Sequence, residues 1–273
     1  MLFRSVLVYD DPLILQAALE VLVAWQDEPD DELLSTIQPL CVNQDHYVRE
    51  ACAKVLSCYR EDQVLDKLFE LLEDRHPDVR KEAVNSLGKV LANASDSLMD
   101  WVMSNAGSPR AQQSVLHGMD RGVIGIDRFI EVAEARIEDA WRCRALLETM
   151  RASGKGSEPA TELMMHVLRE RIQQYTDVIL GVMGYLEDPL KVSVIRAGLH
   201  SRDARQVANA CEVLSELKYR GLASGLESLY GFELDKLAIK APRFASPEAG
   251  LKWAAGYLDP WVSQLARRAL AAA

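Results

Sequence analysis

The stretch "DHYVREACAKVL" at residues 45–56 returns, 31 residues on, as "HPDVRKEAVNSL" at residues 76–87. Such a repeat constrains the chain more than any single motif. A unit this short cannot bury its own apolar face, and it becomes stable by stacking on copies of itself. Val48, Cys52 and Leu56 stand at i, i+4 and i+8, which is one stripe of a helix. Val79, Ala83 and Leu87 fill the same positions in the second copy. The pattern continues at Ile14, Ala18 and Leu22, at Ala111, Val115 and Met119, at Gln206, Ala210 and Leu214, and at Val262, Ala266 and Leu270. Large–small–large is the common form, and the small middle residue lets a neighbouring helix come close.

The helix starts agree with each other. Asp11-Pro12, Ser108-Pro109, Asp188-Pro189, Ser246-Pro247 and Asp259-Pro260 each place a capping side chain before a proline, with His76-Pro77 a weaker version. The side-chain oxygen accepts an orphan amide, and proline suits the first helical position. Between these helices lie others: "DDELLSTIQPLC" (30–41), "DQVLDKLFELLED" (62–74) and "SDSLMDWVMS" (95–104). Each unit therefore reads as an antiparallel helix pair.

"DHYVREACAKVL" and "HPDVRKEAVNSL" resemble the second helix of HEAT repeats, including the Val-Arg pair. The resemblance is good over 10–92 and 203–217, weaker over 108–121 and 259–270, and the Val-Arg pair is lost in the later units. It implies an all-α fold, a right-handed α–α superhelix of about eight helical hairpins. Residues 173–230 also resemble bacterial HEAT modules found beside nucleotide-translocase-like membrane domains and cyclic-nucleotide-binding domains, chiefly through "ANACEVL" and the "Asp-Pro … Leu-His-Ser-Arg-Asp" frame. "RASGKGSEP" (151–159) divides the array into N-terminal repeats over 1–152 and C-terminal repeats over 158–273, one continuous solenoid with an irregular stretch at 230–250.

Composition narrows the function. The 273-residue chain carries a net charge of −10, which argues against a nucleic-acid binder in bulk. Five cysteines, an odd number without CxxC, point to a reducing compartment, and no apolar run is long enough to span a bilayer. The start, "MLFRSVLVYDDP", is a poor signal peptide, so the expected location is the cytoplasm. His46, His76, His117, His166 and His200 are scattered, so no metal or cofactor is expected. "SGKGS" (153–157) lacks the spacing of a phosphate loop and the strand before it. Asp10/Asp11, Asp30/Asp31 and Glu138/Asp139 read as acids at helix starts or in turns, not as catalytic pairs.

The charge layout is the most informative feature. Helices read at 46–60, 77–92, 109–121 and 140–152 carry 11 basic and 5 acidic residues. Their partners at 27–43, 61–74, 95–106 and 124–139 carry 18 acidic and 3 basic. In HEAT-type solenoids the second helices line the concave side, so the resemblance implies a basic groove of Arg49, Lys54, Arg80, Lys81, Lys89, Arg110, Arg142, Arg144 and Arg151. The expected function is a non-catalytic scaffold that binds an acidic or phosphorylated protein segment. Nucleic acid ranks below protein, because Tyr47, Tyr59 and Trp141 are the few aromatics available for stacking. A competing expectation is that Arg49 and Arg80 pair with acids of the next repeat, as HEAT arginines commonly do. The alternatives are an enzyme on the same fold, of the bilin-lyase or DNA-glycosylase type, or a regulatory module of a larger membrane or nucleotide-sensing protein. The glycosylase reading requires Trp141 and Asp139 to face the groove.

Overall fold

A computed structural model describes residues 5–25, 31–119, 124–152, 159–230, 244–257 and 259–272. Among these the chain forms fourteen α-helices and no strand. They are α1 (Pro12–Trp25), α2 (Asp31–Ile37), α3 (His46–Leu56), α4 (Glu61–Leu71), α5 (Pro77–Val90), α6 (Ala94–Ser104), α7 (Pro109–Gly118), α8 (Ile126–Ala152), α9 (Pro159–Leu186), α10 (Pro189–Leu199), α11 (Ala204–Ser215), α12 (Arg220–Tyr230), α13 (Pro247–Ala255) and α14 (Pro260–Ala272). A 3₁₀ turn, Gln38–Val42, follows α2, because Pro39 has no amide to continue an α-helical ladder.

All six helices expected to open on a proline do so. Asp11 accepts the Leu13 amide at 2.9 Å, Asp188 that of Leu190 at 2.9 Å, and Asp259 that of Trp261 at 2.7 Å. Ser246 accepts from Ala249 at 3.2 Å. His76 stands at the N-cap of α5 without a side-chain capping bond, as its weaker pattern predicts.

The chain divides into two compact units, residues 1–102 with 110–123, and residues 103–109 with 124–273. In the first unit α1 packs on α3 and α3 on α5. Val48, Cys52, Leu56, Val79, Ala83 and Leu87 are all fully buried. The repeat stripe is thus the core between neighbouring helices, and each large aliphatic side chain buried there contributes about 1.5–3 kcal/mol. Ser86, itself fully buried, donates to the Ala53 carbonyl at 2.8 Å and ties α5 to α3 across one repeat. Gly118 at the end of α7 meets α5 so closely that a Cβ would lie 2.5 Å from Val84 Cγ1. In the companion layer Phe69 of α4 stacks on Trp101 of α6 with centroids 6.4 Å apart. The trio in α1 is the exception to the stripe. Ala18 is buried as expected, but Ile14 is exposed and Leu22 half-buried, while Leu15 and Leu19, one position out of register with the repeat, are buried.

The second unit departs from the expected hairpins. Residues 126–152, read as a pair broken near 139–140, form one helix of 27 residues. No glycine or proline lies within the segment to stop it, so the repeat period alone misplaced a break. Glu138 and Asp139, expected near a helix start, consequently stand in the middle of α8. Phe129 near the start of α8 stacks on Tyr185 near the end of α9, centroids 5.0 Å apart, so the two long helices run antiparallel. Residues 153–158 of the connector lie outside the described residues, and both flanking helices belong to this unit. Residues 231–243 of the irregular stretch also lie outside the described residues. Helices α12 and α13 pack on α8, and α14 on α9. The remaining trios hold in part: Ala210 and Leu214, and Val262 and Ala266, are buried, while Gln206 is exposed.

Close packing of small residues makes a contrast testable by urea unfolding. Ala83→Leu, at the fully buried α3–α5 contact, lowers stability by about 1–3 kcal/mol. Gly88→Ala on the same helix, with nothing within 4 Å of the new methyl, raises it by about 0.5–1 kcal/mol.

Candidate functional site

Two of the nine cations expected to face a partner are built into the repeat junctions of the first unit. Arg49 is 4% exposed. Its Nε and Nη2 donate to the two carboxylate oxygens of Asp74 at 2.6 and 2.8 Å, a bidentate fork. Its Nη1 donates to the carbonyls of Asn43 and Gln44 at 2.7 and 3.0 Å. Arg80, in the next repeat, sends its Nη1 to the carbonyls of Asp74 and Arg75 at 2.8 and 3.2 Å. Each arginine therefore holds the turn before its own helix, five and six residues back. The difference lies ahead of them. Where Asp74 stands in the first copy, Asn105 stands one repeat later, and Arg80 instead donates to the Ser114 hydroxyl at 3.0 Å.

Electrostatics follow this geometry. Hydrogen bonding to Asp74 outweighs burial and raises the Arg49 pKa. Burial alone would push the Asp74 carboxyl up, but hydrogen bonds from Arg49 and the His76 amide, with the charges of Arg49 and Arg75, hold it below the usual carboxylate range. Burial and the neighbouring Arg110 charge lower Arg80, with Asp74 opposing them.

The other cations differ in their freedom. Lys54 is half-buried, bonded to Glu50 at 2.8 Å, and its charge is further held by Glu82 and Glu20. Lys81, Lys89 and Arg110 are exposed on α5 and α7, with Lys81 and Lys89 eight residues apart on one face of α5. In the second unit the three α8 arginines expected in the groove meet carboxylates of their own helix. Arg142 pairs with Glu138, Arg144 with Glu148 at 3.0 Å, and Arg151 with Glu148 at 3.0 Å. Arg144 is half-buried and its Nη1 also donates to the Leu229 carbonyl at 3.4 Å, which holds it in place; the more exposed pairs of Arg142 and Arg151 contribute only about 0.3–0.5 kcal/mol each.

The glycosylase-type arrangement does not form. Trp141 is 6% exposed, and Asp139 lies 3.2 Å from the buried Arg136 within α8, its pKa raised by burial. Neither side chain offers an open face. Tyr59 is 7% exposed as well, which leaves Tyr47 as the one solvent-facing aromatic of the three. Cys41, Cys52 and Cys143 are buried free thiols, and burial pushes Cys143 up to about 12, so these are inert core residues.

One grouping was missed by reading the sequence. His46 and His76, 30 residues apart, come together at the junction of two repeats with ring centroids 3.7 Å apart. Their ring nitrogens and the Asp78 carboxylate lie within 4.8 Å of one another, a donor set able to hold a metal ion. The repeat period itself was the available signal, since residues about 31 apart occupy adjacent helix starts.

Comparison with known proteins supports the reading of the first unit. The family described as HEAT repeats matches residues 3–88 and, in an overlapping window, 40–120. Residues 3–120 are thus HEAT repeats, a kind of repeat that commonly serves as a protein-interaction scaffold. No curated protein matches the chain. No described helix is long and apolar enough to cross a membrane.

The Arg49–Asp74 fork has side chains only 5% and 9% exposed, so removing one partner leaves a buried charge. Asp74→Asn costs about 3–5 kcal/mol at neutral pH. Because the folded carboxyl is depressed, its contribution is present above the unfolded value of about 3.9 and is lost as pH falls through the folded one. Urea unfolding at pH 7 and pH 3 checks this: the gap between wild type and variant narrows in acid.

Proposed function

We propose that the first unit is a non-catalytic protein-interaction surface that takes an acidic or phosphorylated protein segment. The observation that carries this reading is the row of exposed cations on the second-helix layer: Lys81 and Lys89 on α5 and Arg110 at the start of α7. The helices beneath them are held rigidly by the arginine forks and the packed stripe, so the charges are presented at fixed spacing. Lysines and arginines at such spacing engage carboxylates or phosphates several at a time. The surface is narrower than the charge count of the sequence suggests. Arg49 is buried, Arg80 is half-buried among carbonyls, and Lys54 sits among Glu20, Glu50 and Glu82. Arg142 and Arg151 on α8 become available to a partner by exchanging their intrahelical carboxylates for its own.

The test follows from burial. Arg80 is unsuitable for charge reversal because its guanidinium holds a turn. Lys81→Glu with Lys89→Glu changes exposed side chains alone. Against an array of acidic and phosphorylated peptides, the wild type is expected to retain a subset in a salt-sensitive manner, and the double variant to lose roughly tenfold or more in affinity, equivalent to about 1.4 kcal/mol. Equal retention by the two proteins would overturn the reading. Retention of DNA but of no peptide would replace it with nucleic-acid binding.

A further inference from the structure

We infer that His46, His76 and Asp78 form a binding site for a borderline divalent cation, zinc in its ordinary ligand chemistry, at the junction of the first two repeats. The three donors come from two successive helix starts: His46 opens α3, His76 is the N-cap of α5, and Asp78 lies in the first turn of α5. Two imidazoles and one carboxylate match the ligand preference of zinc, with water completing an open coordination position.

Three observations converge on the site. First, the donor atoms are already gathered, all within 4.8 Å of each other. The Nδ1 of His76 and Oδ2 of Asp78 stand 3.6 Å apart. Donors bound at about 2.0–2.1 Å to a tetrahedral zinc stand about 3.3–3.4 Å apart, so this edge of the polyhedron is nearly formed. The stacked ring of His46 needs a side-chain rotation to aim its nitrogen at the same point.

Second, the Nδ1 of His76 is shielded from water and has no hydrogen-bond partner among the described residues. A shielded nitrogen without a partner is a cost that the folded protein carries unless something binds there. The Asp78 carboxylate is the facing group, and 3.6 Å is too long for a hydrogen bond between them.

Third, the two histidine-bearing backbones are tied together independently of any metal. The His76 amide donates to Asp74 Oδ1 at 2.7 Å. The same carboxylate takes the Arg49 fork, and Arg49 lies three residues after His46 on α3. The carboxylate thus fixes the backbones that carry the two imidazoles. The N-terminal dipole of α5 disfavours a cation here, and the carboxylates of Asp78 and Asp74 oppose that effect.

Metal binding to this site would staple α3 to the α5 start and add to the stability of the folded unit alone. The experiment uses the full chain, stripped with chelator, and titrated with Zn²⁺ by calorimetry and with Co²⁺ by visible absorption. The expected result is one strong equivalent, a d–d band typical of low-coordinate cobalt, and a raised thermal midpoint. His46→Gln and His76→Gln each lower affinity by roughly tenfold or more. His200→Gln is the control, since that imidazole meets Asp177, at 3.0 Å, in the second unit. Circular dichroism of the metal-free variants separates loss of ligand from loss of fold. The inference is overturned if the folded His46→Gln/His76→Gln double variant binds zinc as the wild type does. It is equally overturned if the wild type takes up no stoichiometric zinc, or if His200→Gln abolishes binding. None of these readouts depends on peptide binding, so the site and the proposed interaction surface stand or fall separately.

Discussion

The carboxylate of Asp74 joins the helix of one repeat to the turn that opens the next. It takes a bidentate fork from Arg49 of the preceding repeat and a backbone amide from His76 of its own turn. The fork brings a positive charge into the core and leaves it 4% exposed, which the interior tolerates only because every arm of the guanidinium is matched. Asp74 therefore helps set the separation of α3 and α5, and with it the proximity of His46 to His76. The next junction uses a weaker device, a serine hydroxyl in place of a carboxylate, and Arg80 is accordingly the less buried of the two.

That difference changes what a charge count means. Eleven basic residues on four helices describe a layer, not a surface. A side chain with three or four acceptors around it has been spent on holding the fold. Lys81 and Lys89 remain open because they lie on the face of α5 away from both the stripe and the turn.

The second unit is organised by length instead of repetition. Helices of 27 and 28 residues run beside each other, and shorter helices pack on their sides. Beside its intrahelical pairs it has long-range polar contacts: Arg171 reaches Asp259 at the start of α14, and Thr176 meets Tyr230 at 2.9 Å. Close approaches replace the regular small residue of the first unit, as where Gly198 faces Ala210 and a Cβ would lie 2.6 Å from it.

Much of the fold was legible in residue order. The helix class, the proline-led starts and the buried stripes of α3, α5 and α7 follow from local rules of capping and a 3.6-residue period, which act over a few residues and need no partner. The pairing of Arg49 with an acid of the next repeat was also readable, though only as one of two outcomes. The continuous α8 was not foreseen, because a repeat period was extended into a segment that contains no residue able to break a helix. Which cations stay in solvent, the burial of Trp141, and the meeting of His46 with His76 were decided by tertiary structure. Those outcomes depend on distances between residues 25 to 34 positions apart, and such distances are set by how whole helices seat against each other, which no local pattern contains.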